Sequence, residues 1–500
     1  IDDGGGEIVE VAAGETRAVA RSITRVVDPP DALSADFHIH SARSFDSSAP
    51  LVGRVLSFAA EGVELMVSSD HDFHVDYAPV IEAMGLGDRI ASIRGNEVTT
   101  GSPPTVGNEF KFGHLNGFPV EVDPTARRRG AIEDEFVSPN WIYRRLREQG
   151  ADVIQINHPR APLQQGNTGI GWFNNAGFDP TRPLLDPANA FLVTTEVVPG
   201  SGFPHPGCGG LLDDPLERPD EGTCTSNIDF DTLEVANAAR PGDFLAWRAV
   251  RRDWMSLLLQ GVFKPATGVS DSHRLTVETP GYARTFVFGA GDRPDALGLA
   301  AFIDAVRAGR MTVSTGPVIR ASARSGDAVA AIGDTLSAPG GEVELSVRVD
   351  AAPWIPVHEV RVLVNGVVER AEDVSLAAGT TRLDATFPFS LPADGFIVVE
   401  AGPGLPVDPR VAPPPSGTGP GSAIPFSEIV PGAIAFAFTN PIFVDAGEPG
   451  YSAPGLPDCA ATPQSVVCET AVVLDADEAH AESFELLGRI RVPREALPAR

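Results

Sequence analysis

Between about residue 34 and residue 316, short β-branched runs alternate with helical stretches, and this alternation restricts the fold of the chain more than any other feature. Parallel strands cannot be joined by tight hairpins and are usually connected by helices, so the pattern is typical of a parallel α/β domain. One helical stretch covers residues 138–150, where Ser138 suits the N-cap, Pro139 the first turn and Gly150 the stop.

Near residue 317 the periodicity changes to two, with apolar and polar residues alternating between turn residues. This is the pattern of antiparallel strands, and it predicts a β-sandwich. Within it, the pair Asn365 and Gly366 predicts a tight hairpin. The predicted parts of the chain are an N-terminal β segment (1–33), an α/β domain (34–317) and a β-sandwich domain (318–500).

Seven candidate strands lie in the α/β part, and one of them has two alternatives. They are DFHIH, VELMVSS, IASIRGNEV, FGHLNGF, DVIQINH, either FLVTTEVV or TLEVAN, and ATGVSDSH. The sixth strand therefore brings either Glu196 or Glu234 to its end, and the sequence does not decide between them. A further helical stretch covers residues 296–309.

The net charge of −29 limits the partners of the chain. A protein this acidic repels phosphate backbones, so we expect no nucleic-acid partner. No apolar run reaches the length of about 18 residues that a membrane-spanning helix needs, so we expect no membrane span.

The four cysteines form two close pairs in stretches rich in Gly, Pro and Asp: Cys208 with Cys224, and Cys459 with Cys468. We expect each pair to form a disulfide, because disulfides staple loops in exported proteins. A zinc site is disfavoured since neither pair has CxxC spacing. The chain begins at Ile1 without a methionine or a signal sequence, so we expect a mature or trimmed product. From the cysteine pairs alone we expect a secreted or periplasmic location.

Six of the ten histidines terminate candidate strands, and carboxylates accompany them. The histidines are His38, His40, His71, His114, His158 and His273, and the carboxylates are Asp36, Asp46, Asp70, Glu97 and Asp271. Residues two apart in a strand share a direction, and the carboxyl ends of parallel strands meet at one edge. We therefore predict one metal centre, and imidazole with carboxylate suits Zn, Mn or Fe.

The motifs DFHIHS, SSDHD, GNE, GHLNGF, NHP and GVSDSH, in this order, resemble those of the PHP (polymerase and histidinol phosphatase) superfamily. The later motifs LEVAN, AVRAGRMTVSTGP, VRVLVNG and FTNPIFV make the chain similar to the CehA/McbA-type metallohydrolases over roughly residues 34 to 445. The resemblance implies a distorted (β/α)7 barrel with a three-metal cluster at its mouth, followed by the β-sandwich.

Carried over motif by motif, the resemblance implies nine ligands in three groups. They are His38, His40 and Asp271 for the first metal, Glu97 as a bridge to the second, His114 and His158 for the second, and Asp46, His71 and His273 for the third. We expect catalysis to depend most on Glu97, His158 and Asp271. The family varies between His and Asp at the position of Asp46, so a two-metal enzyme stays open.

Other polar residues near these motifs are candidates for supporting roles. Asp36 and Asp70 are expected to orient imidazoles. Arg43, His74 and Arg160 are candidates for substrate binding, because an arginine can hold a phosphate or carboxylate through two hydrogen bonds. The alternative for each arginine is a structural salt bridge. The cysteine-bearing residues 199–229 are expected to form an insertion near the mouth.

Two metals can activate a water and stabilise both the attacking and the leaving oxygen of an ester, and no serine-hydrolase or P-loop motif is present. We therefore predict a hydrolase of small phosphoesters. The first alternative is a carbamate or carboxylic ester hydrolase of the CehA/McbA type. The second, from another class, is a surface or glycan-binding protein with a structural metal site. The sequence does not indicate an oligomeric state.

Overall fold

The computed structural model describes residues 9–20, 25–100, 113–132, 139–160, 170–193, 226–238, 240–276, 278–419, 425–447 and 450–471. The first elements are β1 (Ala32–Asp36), α1 (Leu51–Ala60), β2 (Leu65–Ser68), α2 (Ala78–Ala83), β3 (Ala91–Arg94), β4 (Asn96–Thr99), β5 (His114–Phe118), α3 (Pro139–Glu148), β6 (Val153–Ile156), α4 (Trp172–Ala176), β7 (Thr232–Asn237), α5 (Pro241–Leu259), β8 (Ala266–Val269), β9 (Arg284–Phe288), α6 (Leu299–Ala308) and β10 (Met311–Ser314).

The remaining elements are almost all strands. They are β11 (Val318–Ser325), β12 (Ala328–Ala331), β13 (Thr335–Ser337), β14 (Glu342–Asp350), β15 (Glu359–Val364), β16 (Val367–Asp373), β17 (Thr381–Ser390), β18 (Gly395–Gly402), α7 (Phe426–Ile429), β19 (Ala437–Thr439) and β20 (Ile442–Asp445). The predicted mixed α/β class is therefore confirmed. Among the described residues, no helix is long and apolar enough to cross a membrane.

Two sheets carry the first half of the chain. In one, β1, β2 and β3 are parallel neighbours, and in the other the strand order is β4-β5-β6-β7-β8 with only β5 antiparallel to its neighbours. Single bridges join the two sheets, one between His71 and Glu97 and one between Ile39 and Ser272. Because these pairings link the two sheets, residues that follow β1, β2, β6 and β8 lie at one edge. They meet Glu97 of β4 and His114, the first residue of β5, at this edge.

The break between β3 and β4 lies at Gly95. A Cβ at this position would lie 2.9 Å from the carbonyl oxygen of Ser68 and 2.9 Å from a methyl carbon of Val67. Real Cβ atoms do not approach other atoms so closely, so only glycine fits here. The close approach keeps the chain against β2 and directs Glu97 toward the edge at which the strands meet.

The second half of the chain builds two layers that share a hydrophobic cluster. One layer is the four-stranded sheet β12-β11-β14-β17, which contributes Leu345 and Val347 to the cluster. The other layer consists of strands β13, β15, β18 and β20 of an eleven-stranded sheet, which contribute Val362 and Ile397. The predicted hairpin is confirmed: Asn365 (φ 50°) and Gly366 (φ 75°) connect β15 to β16.

The eleven-stranded sheet runs across the predicted boundary at residue 317, because β10 pairs with both β9 and β19. Helix α5 packs on the same region, where Trp254 lies against Phe438 with ring centroids 5.8 Å apart. In the same interface, Arg251 of α5 forms a buried ion pair with Glu400 of β18. The two halves of the chain are therefore joined by a shared sheet, an aromatic contact and a buried charge pair.

The predicted helices and the predicted N-terminal β segment have different outcomes. The predicted helices are confirmed as α3 and α6, each within two or three residues of the predicted ends. Of the predicted N-terminal β segment, residues 9–20 form no strand, and the side chains of residues 10–20 are exposed, Val11 and Val19 among them. The reason is that no neighbouring strand among the described residues offers its backbone to this stretch. Residues 1–8 and 21–24 lie outside the described residues.

One of the two expected disulfides is confirmed, between Cys459 and Cys468. The other pair, Cys208 and Cys224, lies outside the described residues. The disulfide closes a short loop just before Glu469, whose carboxylate lies 3.3 Å from Arg251 of α5. It therefore constrains a segment that packs on α5.

Replacing Cys459 and Cys468 together by serine should lower the free energy of unfolding by roughly 2–3 kcal/mol, because the crosslink limits the entropy of the unfolded chain. Guanidinium unfolding monitored by tryptophan fluorescence measures the change. Adding a reducing agent to the double variant should cause no further loss of stability from this loop, because its crosslink is already absent. A variant as stable as the parent would show that the loop is held by its other contacts alone.

Candidate metal centre

The centre lies at the edge where the strands meet, and its first two imidazoles follow β1. His38 and His40 are fully buried. The Nε2 atoms of both lie 3.2 Å from Oε2 of Glu97, and 3.2 and 3.1 Å, respectively, from Oδ1 of Asp271. The predicted i and i+2 geometry is therefore present: two imidazoles from one segment face the same two carboxylates.

Glu97 is the residue around which the other imidazoles are arranged. Its Oε2 lies 3.0 Å from Nδ1 of His71, and its Oε1 lies 3.1 Å from Nδ1 of His114 and 3.6 Å from Nε2 of His158. The side-chain amide of Asn157 also donates a hydrogen bond to Oε1, at 2.9 Å. Glu97 therefore contacts imidazoles from four strand ends, which suits a bridging carboxylate.

A more exposed part of the centre is built around Asp46. Its Oδ2 lies 3.2 Å from Nε2 of His71 and 3.1 Å from Nε2 of His273. The ring of His40 stacks between these two histidines, with centroids 4.0 Å from His273 and 4.5 Å from His71. The side chains of Asp46 and His273 keep 37% and 21% of their surface exposed, so solvent reaches the centre from this side.

Ligand atoms that lie within 4.8 Å of one another define four groups. They are His38, His40 and Glu97; His38, His158 and Asp271; His71, Glu97 and His114; and His40, Asp46, His71 and His273. All nine predicted ligands are thus brought into one cluster. The grouping differs from the predicted map in placing His71 also beside Glu97 and His114, and Asp271 beside His158.

Buried atoms without partners indicate how the cluster can be satisfied. Nε2 of His38, Oε2 of Glu97 and Nδ1 of His158 are buried and have no hydrogen-bond partner among the described residues. Buried polar atoms are almost always paired in native proteins. Imidazole nitrogens and carboxylate oxygens are ligands for Zn, Mn and Fe. The donor set of the cluster therefore fits divalent cations.

The charges within the cluster stabilise one another in the absence of a metal. Burial alone would raise the pKa of Glu97, but the imidazoles of His38, His71 and His114 outweigh it and hold the pKa well below its usual range. Burial would lower the pKa of His38, but Asp271, Glu97 and Glu234 raise it well above its usual value. The centre therefore keeps its carboxylates ionised, as cation binding requires.

The pKa of His40 is shifted in the opposite direction to that of His38. Burial and the neighbouring imidazoles of His273 and His71 hold its pKa well below the usual value. Burial likewise lowers the pKa of His114 to about 4, against the opposing effect of Glu97. These two imidazoles are neutral at pH 7, the form in which histidine binds metals.

Asp36 and Asp70 support the centre through backbone and hydroxyl groups rather than through imidazole nitrogens. Asp36 accepts hydrogen bonds from the backbone N–H groups of His38 and Ser270, and burial raises its pKa to about 7. Asp70 accepts from the backbone N–H groups of Ser41 and Ser44. Both carboxylates therefore fix the loops that carry the ligands.

The three candidate substrate-binding residues have different environments. Arg160 forms two hydrogen bonds of 2.7 Å with Asp253, which is the salt-bridge alternative. His74 is buried, and its Nδ1 lies 2.9 Å from the carbonyl oxygen of Glu121. Arg43 is exposed, with its guanidinium carbon 5.7 Å from the ring centroid of Phe73. Of the three, Arg43 is the residue whose charged group is open to solvent.

Sequence reasoning did not assign a role to Glu234, which the structure places at the centre. It lies in β7 and accepts a hydrogen bond from Nδ1 of His38 at 2.9 Å. The strand motif TLEVAN was a signal for it, but the alternative strand with Glu196 competed. Glu196 lies outside the described residues, as do residues 199–225 of the predicted insertion.

Phe45, beside Asp46, is a second residue that the sequence analysis missed. Its ring is 68% exposed and stacks on His71.

No protein-family model matches this chain, and no curated protein is significantly similar to it. Among solved structures, the chain is similar to the crystal structure of a two-domain protein containing a predicted PHP-like metal-dependent phosphoesterase from Bacteroides vulgatus ATCC 8482. The sequences are 17% identical, and the match covers 76% of this chain and 95% of the other with a TM-score of 0.38. At this similarity the match assigns no activity to the chain.

Proposed function

We propose that this chain is a metal-dependent hydrolase of the PHP superfamily, in its CehA/McbA-like branch, and that it cleaves phosphoester bonds. One observation carries the proposal: in a cluster of imidazoles and carboxylates, Nε2 of His38 and Oε2 of Glu97 are buried without a hydrogen-bond partner among the described residues, 3.2 Å apart. A divalent cation held by the cluster would satisfy both atoms.

The proposed fold is a distorted (β/α)7 barrel over residues 34–317 and a β-sandwich over residues 318–500. The ring of pairings from β1 through β8, closed by the bridge from Ile39 to Ser272, supports the barrel. The hydrophobic cluster shared by two layers supports the sandwich. In this arrangement the barrel carries the chemistry, and the sandwich stabilises it through α5.

The proposed ligands are the nine predicted ones, for two or three ions of Zn, Mn or Fe. Bound ions would supply a nucleophile at neutral pH and stabilise the negative charge that develops on the ester. The chain itself orients the imidazoles through carboxylates and keeps bulk water away from His38, His40 and Glu97, which are fully buried. The exposed side at Asp46 and His273 is the proposed entrance for the substrate.

A second candidate is the hydrolysis of carbamates or carboxylic esters, and two features favour it. Phe45 presents an exposed ring beside the metal ligands, where it can pack against an apolar or aryl group of a substrate. The Arg160 guanidinium is already neutralised by Asp253 and does not offer its charge to a phosphate. For a phosphoester, Arg43 is the proposed cationic contact among the described residues.

We also propose that the chain acts in an oxidising compartment, secreted or periplasmic. The disulfide between Cys459 and Cys468 supports this location, because such crosslinks persist where thiols are not kept reduced. The small-molecule ester substrate is expected to reach the centre from solvent.

Dialysis against a strong chelator should abolish hydrolysis, and added Zn or Mn should restore it, because no side chain of the cluster can replace the cation as a source of nucleophile. Metal content is measured by mass spectrometry of the intact holoenzyme. The same preparation is then assayed on bis(p-nitrophenyl) phosphate, p-nitrophenyl acetate and an aryl methylcarbamate. Preference for the phosphodiester supports the first candidate, and preference for the acetate or carbamate supports the second.

Two controls accompany this experiment. Chelated protein to which Ca is added should stay inactive, since a cluster rich in imidazoles does not suit a cation that prefers oxygen ligands. Turnover of none of the three substrates by protein that binds fewer than two ions would contradict the proposed hydrolase.

A further inference from the structure

Glu234 is a buried carboxylate at the centre that serves as none of the nine proposed ligands. It is 1% exposed and lies in β7, a strand that contributes no ligand. Its Oε2 contacts Nδ1 of His38 at 2.9 Å, and its Oε1 accepts a hydrogen bond of 2.9 Å from the backbone N–H of His158. One side chain thus contacts two ligand-bearing segments, which follow β1 and β6.

The contact with His38 determines which of its nitrogens faces the metal ligands. The Glu234 side chain offers acceptor oxygens, so in the neutral form of His38 that binds a metal, Nδ1 carries the proton and Nε2 carries the lone pair. Nε2 is the atom that lies 3.2 Å from Glu97 and 3.2 Å from Asp271 without a hydrogen bond. The carboxylate therefore selects the tautomer that presents a free lone pair to the centre.

The contact with His158 holds a backbone conformation that is unusual for this residue. His158 has a φ of 25°, in the left-handed region that residues with a Cβ rarely adopt. The hydrogen bond from its backbone N–H to Glu234 stabilises this turn. The turn directs Nε2 of His158 toward Oε1 of Glu97, at 3.6 Å.

Asn237 extends the same network to the segment that follows β8. Its side-chain amide donates hydrogen bonds to Oε1 of Glu234 at 2.7 Å and to Oδ2 of Asp271 at 3.0 Å. Asp271 is also in a left-handed conformation, with a φ of 47°. The pair on β7 thus contacts ligands from three different strand ends.

We infer that Glu234, together with Asn237, is a positioning residue that orients His38, His158 and Asp271 for metal binding. The inference rests on the proposed metal-dependent hydrolase, because these three residues are among its proposed ligands. Strand β7 supplies no ligand of its own in this arrangement. It contacts one ligand after each strand beside it, His158 and Asp271, and one ligand after β1, His38.

The test compares Glu234→Gln and Asn237→Ala with the matched control Glu64→Gln. The two oxygens of Glu234 contact three groups that donate hydrogen bonds. A glutamine has one acceptor oxygen, so its amide N–H would face at least one of these donors. Glu64 is also buried and also accepts from a backbone N–H, that of Ser34, but it lies just before β2, at the opposite end of the strand from His71.

The affinity for Zn, measured by competition with a chromogenic chelator on folded protein, is the primary readout. We expect it to fall about 10–100-fold in Glu234→Gln and by a smaller factor in Asn237→Ala, and to change less than about threefold in Glu64→Gln. The control is expected to lose thermal stability but to keep its affinity for Zn. If the two β7 variants behave in the same way, their role is only structural and the inference is overturned.

The outcomes separate this inference from the proposed function. If the parent protein binds no Zn, the proposed hydrolase itself fails. If the parent binds Zn and both β7 variants bind it as tightly, only the positioning role fails. Should Glu234→Gln not fold, Asn237→Ala decides, because its side chain is partly exposed and truncating it leaves the carboxylate in place. Unchanged affinity in that variant then overturns the inference.

Discussion

Glu97→Gln should bind at least one metal ion fewer than the parent and lose roughly 10³-fold or more in kcat. The substitution keeps the size of the side chain but removes its charge and one of its acceptor oxygens. Glu97 lies within 3.2 Å of imidazole nitrogens of His38, His40 and His71, so no other residue can take its place between them. In enzymes where no metal is lost, removing a single charge-stabilising group lowers kcat about 10²–10³-fold. Because Glu97→Gln should also lose a metal ion, the expected loss of roughly 10³-fold is a lower bound.

The measurement combines metal stoichiometry by mass spectrometry with turnover of whichever of the three ester substrates the parent hydrolyses fastest. Glu64→Gln serves as the control here also, because it neutralises a buried carboxylate outside the centre. A Glu97→Gln protein with the full metal content and more than a tenth of the parental turnover would refute the bridging role. Circular dichroism should show that the variant keeps the parental fold.

Glu400→Gln should lower the free energy of unfolding by about 3–5 kcal/mol, the largest stability effect that we expect from a single substitution. Glu400 lies in β18 and is 1% exposed. Its carboxylate contacts Nε of Arg251 at 2.5 Å and Nε of Arg361 at 3.2 Å. Removing the anion leaves Arg251 and Arg361 with only their more exposed partners, Glu469 and Glu359. The buried positive charge is then under-compensated, which is strongly destabilising.

Denaturant unfolding followed by circular dichroism measures this change. The matched control is Asp384→Asn, which neutralises the carboxylate of an exposed ion pair with Arg348 in the same half of the chain. Exposed pairs contribute at most about 1 kcal/mol, so the control should unfold almost as the parent does. Equal effects of the two substitutions would mean that the buried network does not hold α5 against β18.

The sequence predicted the local elements well wherever a short-range rule determines the structure. Pro139 and Gly150 delimit α3 because proline fits a first turn and glycine adopts the left-handed conformation that ends a helix. Asn365 and Gly366 produce the hairpin because both tolerate positive φ. In each case the residues that decide the geometry are neighbours in the chain.

The sequence was less informative where the partner of a residue is distant in the chain. Arg160 follows a ligand motif and was a candidate for substrate binding, yet its guanidinium pairs with Asp253, 93 residues away. The N-terminal segment 1–33 is predicted to contain β structure, but no strand among the described residues pairs with residues 9–20. A strand needs a neighbour, and its own sequence does not contain one.

Two different sources of information therefore define the candidate centre. The sequence alone determined which residues could bind a metal, because strand periodicity and the ends of strands place His38, His40 and Asp271 by short-range geometry. Only the tertiary structure decided that Glu234 contacts His38, and that Glu97 lies between the imidazoles. The reason is physical. Short-range geometry along one strand can place the ligands of that strand, whereas the contacts of Glu234 in β7 with residues after β1 and β6 exist only in the folded chain.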